Sequence, residues 1–307
     1  MAINKAMQLA LKALSYPEID IRETYKAKRS LANIYLPALN PLYKLFDRKI
    51  LSNGREINAR LYPPRDSSRK LLILFFHGGG WVTESVDTYN NVCKTLAKQT
   101  NAKVISVEYS LAPEHKFPVG VEDCYAAAKD VHLYPELYDA DGYEIVLAGD
   151  SAGGNLAAAV SLMARDRGEF KVKEQILIYP STYHDHGENS PYASVHTNAT
   201  GYLLTSKHIC EYIELYKGSD DDLLNPYFAP LLSKDLSDQP RTLIITAEFD
   251  PLRDEGEAYG TALAAAGNTV RVYRMKDALH GFFSLDYRFP HVKRSYKLID
   301  DFLKHHN

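Results

Sequence analysis

Three side chains have the types and the order needed to make a hydroxyl nucleophilic. Ser151 sits at the centre of Gly149-Asp150-Ser151-Ala152-Gly153, a Gly-x-Ser-x-Gly run. A serine hydroxyl is a poor nucleophile at neutral pH, so it needs a base, a group to orient that base, and donors for the oxyanion that forms. Of the eleven histidines, His280 is the candidate base: it follows the last expected strand, in Ala278-Leu279-His280-Gly281-Phe282, where the small Gly281 lets the ring approach. The competing reading is a satisfied loop histidine. The orienting carboxylate is sought between the two. Asp250, in Glu248-Phe249-Asp250-Pro251, is favoured, with Glu248 second. Asp before Pro is equally a helix N-cap with proline at the first helical position, which would make Asp254 and Glu255 first-turn acids facing the helix dipole. His77-Gly78-Gly79-Gly80-Trp81 can turn successive N–H groups into one cavity. It has neither the Lys-Ser/Thr ending of a phosphate loop nor dinucleotide-site spacing. His77 reads as a loop-orienting residue, and Trp81, the only tryptophan, as either pocket wall or core.

These groups need strand ends to hold them. Ile145–Ala148 is an apolar run leading straight into the serine motif, and Leu156–Val160 follows with helix-forming small residues. A buried strand, a sharp reversal and a helix would lift Ser151 into the open; an ordinary capping serine is the bland alternative. Leu71–Phe76 and Val104–Tyr109 read as further buried strands, as do Gln175–Tyr179, Leu243–Ala247 and Val270–Met275. Helices are expected over Thr88–Lys98, Val119–Val131, Arg253–Ala266 and Val292–Leu303, with a loop over Leu133–Tyr143. Ser52-Asn53-Gly54-Arg55 between two alternating runs predicts a hairpin. The alternation implies an α/β fold: a mostly parallel sheet with an antiparallel start and helices on both faces. Residues 1–45 read as a separate helical segment, with amphipathic stretches around Ile3–Leu14 and Ile21–Tyr35. Residues 46–307 form the main domain, with 181–224 inserted over the sheet edge.

With 45% apolar and 24% charged residues the chain is of globular type, and a net charge of −3 gives no case for nucleic acid. Cys93, Cys124 and Cys210 form neither a disulfide framework nor a zinc pattern, and no signal peptide or apolar run of spanning length is evident. A cytoplasmic protein is expected. His184-x-His186 has no third ligand at a recognisable spacing, so no metal site is assigned.

His77-Gly-Gly-Gly80, Gly149-Asp-Ser-Ala-Gly-Gly-Asn155, Asp250-Pro-Leu-Arg-Asp-Glu-Gly256 and His280-Gly-Phe282 together resemble the hormone-sensitive-lipase-like branch of the α/β-hydrolases. Tyr109–Pro118 resembles a further stretch of that family, with Ser110 where arginine is more usual. The resemblance covers about residues 45–307; the segments 1–45 and 181–224 match the family's helical cap in placement only. It implies a carboxylesterase for short acyl esters, with no metal or organic cofactor. Ser151 would be nucleophile, Asp250 acid and His280 base, with Gly79, Gly80 and Ala152 donating to the oxyanion; Gly78 could replace one of the glycines. The implied partner is a small-molecule ester, with no nucleic acid and no membrane span, and a homodimer is left open. The alternatives are an amidase or peptidase with the same triad, or a non-catalytic receptor on the same fold.

Overall fold

Residues 19–35, 47–52, 55–66 and 68–304 are described in the computed structural model. The stretch Ile3–Leu14, the Asn53-Gly54 turn and Pro37 and Pro41 lie outside them. Eight strands form one sheet: β1 (Asp47–Ser52), β2 (Arg55–Tyr62), β3 (Leu71–Phe76), β4 (Lys103–Glu108), β5 (Glu144–Asp150), β6 (Glu174–Ile178), β7 (Arg241–Phe249) and β8 (Val270–Leu279). Their order is β1-β2-β4-β3-β5-β6-β7-β8. The β1–β2 and β2–β4 pairs are antiparallel and all the others parallel. The result is an α/β fold, a mostly parallel sheet with an antiparallel start.

Among the described residues eight α-helices accompany the sheet: α1 (Ile21–Tyr35), α2 (Asn90–Thr100), α3 (Val119–Leu133), α4 (Ala152–Arg167), α5 (Ala193–Thr197), α6 (Ser206–Tyr216), α7 (Arg253–Ala265) and α8 (Pro290–Lys304). They divide the core in two. Val92 and Leu96 of α2 join Val292, Tyr296 and Ile299 of α8 on one face of the sheet. Val121 of α3, Leu156 and Met163 of α4, and Leu263 of α7 pack on the other. Every residue of β3 is buried, which is why that strand reads as an unbroken apolar run and does not alternate. Helix α4 is buried from Ala152 to Ala164 on all sides, and its alanines keep it close to the sheet.

Several boundaries differ from the sequence reading. The Leu133–Tyr143 loop contains a 3-10 turn, Pro135–Tyr138. Strand β8 continues through the polar Lys276 and Asp277 to Leu279, opposite Phe249, after an irregularity in β7; those polar residues had hidden the continuation. Asp250 does not cap a helix with Pro251 at its first position. Helix α7 starts only at Arg253, and Asp250 instead closes a tight turn by accepting the Leu252 N–H at 2.9 Å. Asp254 and Glu255 do fall in the first turn of α7. They are occupied by the inserted segment: Asp254 accepts the Ser194 N–H, and buried Glu255 accepts the N–H groups of Thr182 and Tyr183 and contacts His186 Nε2.

Candidate active site

The reversal between β5 and α4 depends on small residues. A Cβ on Gly149 would lie 2.2 Å from the Gly153 carbonyl oxygen, and one on Gly153 would lie 2.0 Å from that of Phe76. The chain therefore closes with backbone against backbone, and Ser151 is held at φ 54°, ψ −119°, outside the regions an L-residue normally occupies. Its N–H donates to the Ile178 carbonyl at 2.8 Å, which ties the strained residue to β6.

His280 comes directly off the end of β8. Its Nε2 stands 2.9 Å from Ser151 Oγ, and its Nδ1 stands 2.7 Å from Asp250 Oδ2. Asp250 is wholly buried, and the ring is packed against Tyr179 with centroids 4.7 Å apart. The loop behind the acid is fastened by Asn198, whose Nδ2 donates to the Asp250 carbonyl at 3.1 Å. Glu248, the other acid considered, accepts the Asp277 N–H at 2.7 Å. Gly281 has φ 80° and open space where a Cβ would stand, so this position calls for glycine through its backbone conformation, and not through room for the ring as expected from sequence.

The glycine run leaves β3 with a division of labour among its amides. Gly78 donates to Asp150 Oδ1 at 3.0 Å. Among the described residues, no acceptor is bonded to the N–H groups of Gly79, Gly80 or Ala152. His77 is fully buried, its Nδ1 2.8 Å from the Gly78 carbonyl and its ring stacked on Tyr109 at 4.4 Å; burial pulls it down to about 4, so it stays neutral. Trp81 is both core and pocket wall: it is buried, stacked on Tyr216 at 4.6 Å, and still borders the cavity over Ser151. That cavity measures about 370 Å³ and is walled by Leu204, Ile209, Tyr212 and Leu252 as well as by the loop.

Asp150 occupies the variable position of the serine motif, which by itself carries no chemical signal. Besides Gly78 it accepts from the hydroxyls of Tyr89 at 2.9 Å and Tyr179 at 3.2 Å. Burial pushes it up to about 6, against the opposing pull of these donors. Because that value lies above the ordinary 3.8, the stability this group contributes is complete below 3.8 and is lost as pH rises through about 6. Function runs the other way, since only the ionised carboxylate can accept from all three donors. The acid limb of kcat/KM should therefore carry a titration near 6. Asp150→Asn, which does not titrate, should lose that titration and lower activity by roughly tenfold through the mispaired loop. A pH–rate profile of the variant that keeps it would refute this role.

Among the described residues no group of three or more potential metal ligands is present; His186 is engaged by Glu255. No described helix is long and apolar enough to cross a membrane.

A family model described as alpha/beta hydrolase fold matches residues 73–284. The chain is similar to an arylesterase of Saccharolobus solfataricus, 36% identical over 244 residues that cover 79% of this chain and 78% of that protein. It is also 36% identical to esterase LipI of Mycobacterium tuberculosis over 287 residues, 92% of this chain and 88% of the relative. A hyperthermophilic esterase from the archaeon Pyrobaculum calidifontis superposes with a TM-score of 0.87 at 38% identity, covering 99% of this chain and 98% of that one. The serine turn, the histidine off the last strand and the glycine loop thus occur on a framework shared with esterases, and the chain belongs to the hormone-sensitive-lipase-like family of α/β-hydrolases.

Proposed function

We propose that this carboxylic ester hydrolase is a serine carboxylesterase that cleaves short-chain acyl esters through an acyl-enzyme intermediate. The observation that carries the reading is the continuous relay from Ser151 Oγ through His280 to Asp250, at 2.9 and 2.7 Å. With Nδ1–H donated to Asp250, the Nε2 lone pair is free to take the Ser151 proton as Oγ attacks the ester carbonyl. The oxyanion forms against the unclaimed amides of Gly79, Gly80 and Ala152; Gly78 is left out because Asp150 holds its N–H. His280 then protonates the leaving alcohol, and a water activated by the same nitrogen releases the acid. The reaction so written uses no metal or organic cofactor.

Helix α1 and the 181–224 segment form the cap over this site. In support, α1 packs on α6, and the Ile21 N–H donates to Glu211 Oε2 at 3.0 Å. Tyr212 of α6 reaches down to the loop, so that a Cβ on Gly80 would lie 2.5 Å from its ring. With the Trp81–Tyr216–Phe228 stack, this closes the cavity above and behind the serine. A chamber of about 370 Å³ is near the small end of ligand pockets, which argues for short acyl groups. Across p-nitrophenyl esters, kcat/KM should peak between acetyl and hexanoyl and fall by about tenfold or more at dodecanoyl, the cost of forcing extra methylenes into a packed wall. A maximum at decanoyl or longer would overturn the short-chain assignment. The free thiols Cys93 and Cys124, both buried, suit a reducing cytoplasmic setting.

A further inference from the structure

The cavity over Ser151 carries one carboxylate that the hydrolytic mechanism does not use. Glu84 lies on the wall between this cavity, whose lining holds no lysine or arginine, and a neighbouring one that Arg29 and Arg60 also line. The other lining acid, Asp150, is saturated by three donors. Glu84 accepts no hydrogen bond and forms no ion pair among the described residues. Lys28 of α1 is near enough for its charge to be felt at both Glu84 and Glu211. The Glu84 backbone stands at φ 67°, in the left-handed region that residues other than glycine seldom occupy. Its Cγ lies 2.8 Å from where a Cβ on Gly79 would stand, so the side chain borders the oxyanion loop itself.

The chemistry fixes which half of the ester meets this wall. The leaving oxygen must accept its proton from His280 Nε2, so the alcohol lies on the side bounded by Gly281 and Ser284. The turn containing Ser284 packs against α2, and the segment running into α2 supplies Thr88 and Glu84 to the same cavity. Resting on the esterase reading above, we propose that Glu84 selects the leaving group, favouring esters of alcohols that carry a cationic ammonium group and disfavouring anionic ones. A positive alcohol would also offset the cost of holding a carboxylate beside a developing oxyanion.

The test compares choline acetate with its uncharged carbon isostere, neohexyl acetate, and reads the ratio of the two kcat/KM values. Glu84→Gln retains the shape and backbone preference and removes only the charge. It should lower the ratio by about threefold to fivefold, the size of one partly exposed charge pair, and Glu84→Lys should lower it by about tenfold or more. Salt at about 1 M, where the screening length is roughly 3 Å, should draw the wild-type ratio toward that of Glu84→Gln. Glu136→Gln, an equal charge change at an exposed site away from the cavity, should leave the ratio in place. Turnover of both esters with a ratio that Glu84→Gln does not move, or that Glu136→Gln moves equally, overturns the Glu84 assignment alone. No turnover of either ester by the wild type overturns the esterase reading and this proposal together.

Discussion

Ser151→Ala should lower kcat on a short p-nitrophenyl ester by on the order of 10⁶-fold while leaving the fold intact. The two expectations are separable because of where the serine sits. Its backbone is held at φ 54° by the Ile178 carbonyl and by the packing of Gly149 on Gly153, and none of these contacts involves the hydroxyl. Alanine keeps the Cβ and loses only the Oγ, whose partner is His280 Nε2 at 2.9 Å. Thermal unfolding of the variant should therefore stay within a few degrees of wild type, a shift corresponding to about 1 kcal/mol. A fluorophosphonate probe should label the wild type and not the variant. Turnover that survives at more than about one part in 10³ would mean that another group supplies the nucleophile.

Asp250→Asn is expected to cost roughly 10⁴-fold in kcat, through the wrong tautomer and not through lost geometry. Asp250 makes two bonds with its two oxygens: Oδ1 accepts the Leu252 N–H and Oδ2 faces His280 Nδ1. Asparagine keeps the first with its carbonyl oxygen, which leaves its NH₂ pointing at Nδ1. The imidazole must then accept at Nδ1 and carry its proton on Nε2, where it faces Ser151 and cannot take the hydroxyl proton. Glu248→Gln is the companion measurement. Glu248 holds the Asp277 N–H on the neighbouring strand, so its loss should disturb the end of β8 and cost far less in kcat. Equal losses in the two variants would remove the basis for choosing Asp250.

Asp250 also illustrates how far the order of residues could be read. That Asp250, lying between the serine and the histidine, is the candidate to orient the base was legible from chain order. Its local geometry was not, because Asp-Pro has the same signature whether it caps a helix or closes the turn before one, and here it closes the turn. Glu255 shows the same limit. Its position in a first helical turn is a local property, whereas its burial under Thr182, Tyr183 and His186 depends on a segment some 70 residues earlier in the chain. The apolar pattern alone ends strand β8 at Met275, since Lys276 and Asp277 break it while the pairing with β7 continues.

The amino-acid order by itself determined the strands with two buried faces, the small residues of the serine turn, and a glycine run able to turn successive amides into one cavity. Each of these is a local requirement: an unbroken apolar run needs packing on both faces of its strand, and Gly153 has no room for a side chain beside the Phe76 carbonyl. Which amides stay free was decided by the tertiary structure alone. Gly78, Gly79 and Gly80 are chemically alike in the chain, and only the approach of Asp150, 72 residues away, takes the first of them out of play. The cavity wall follows the same rule, because Tyr212 and Glu84 come to line one cavity with Ser151 only after the sheet has brought distant loops to one edge.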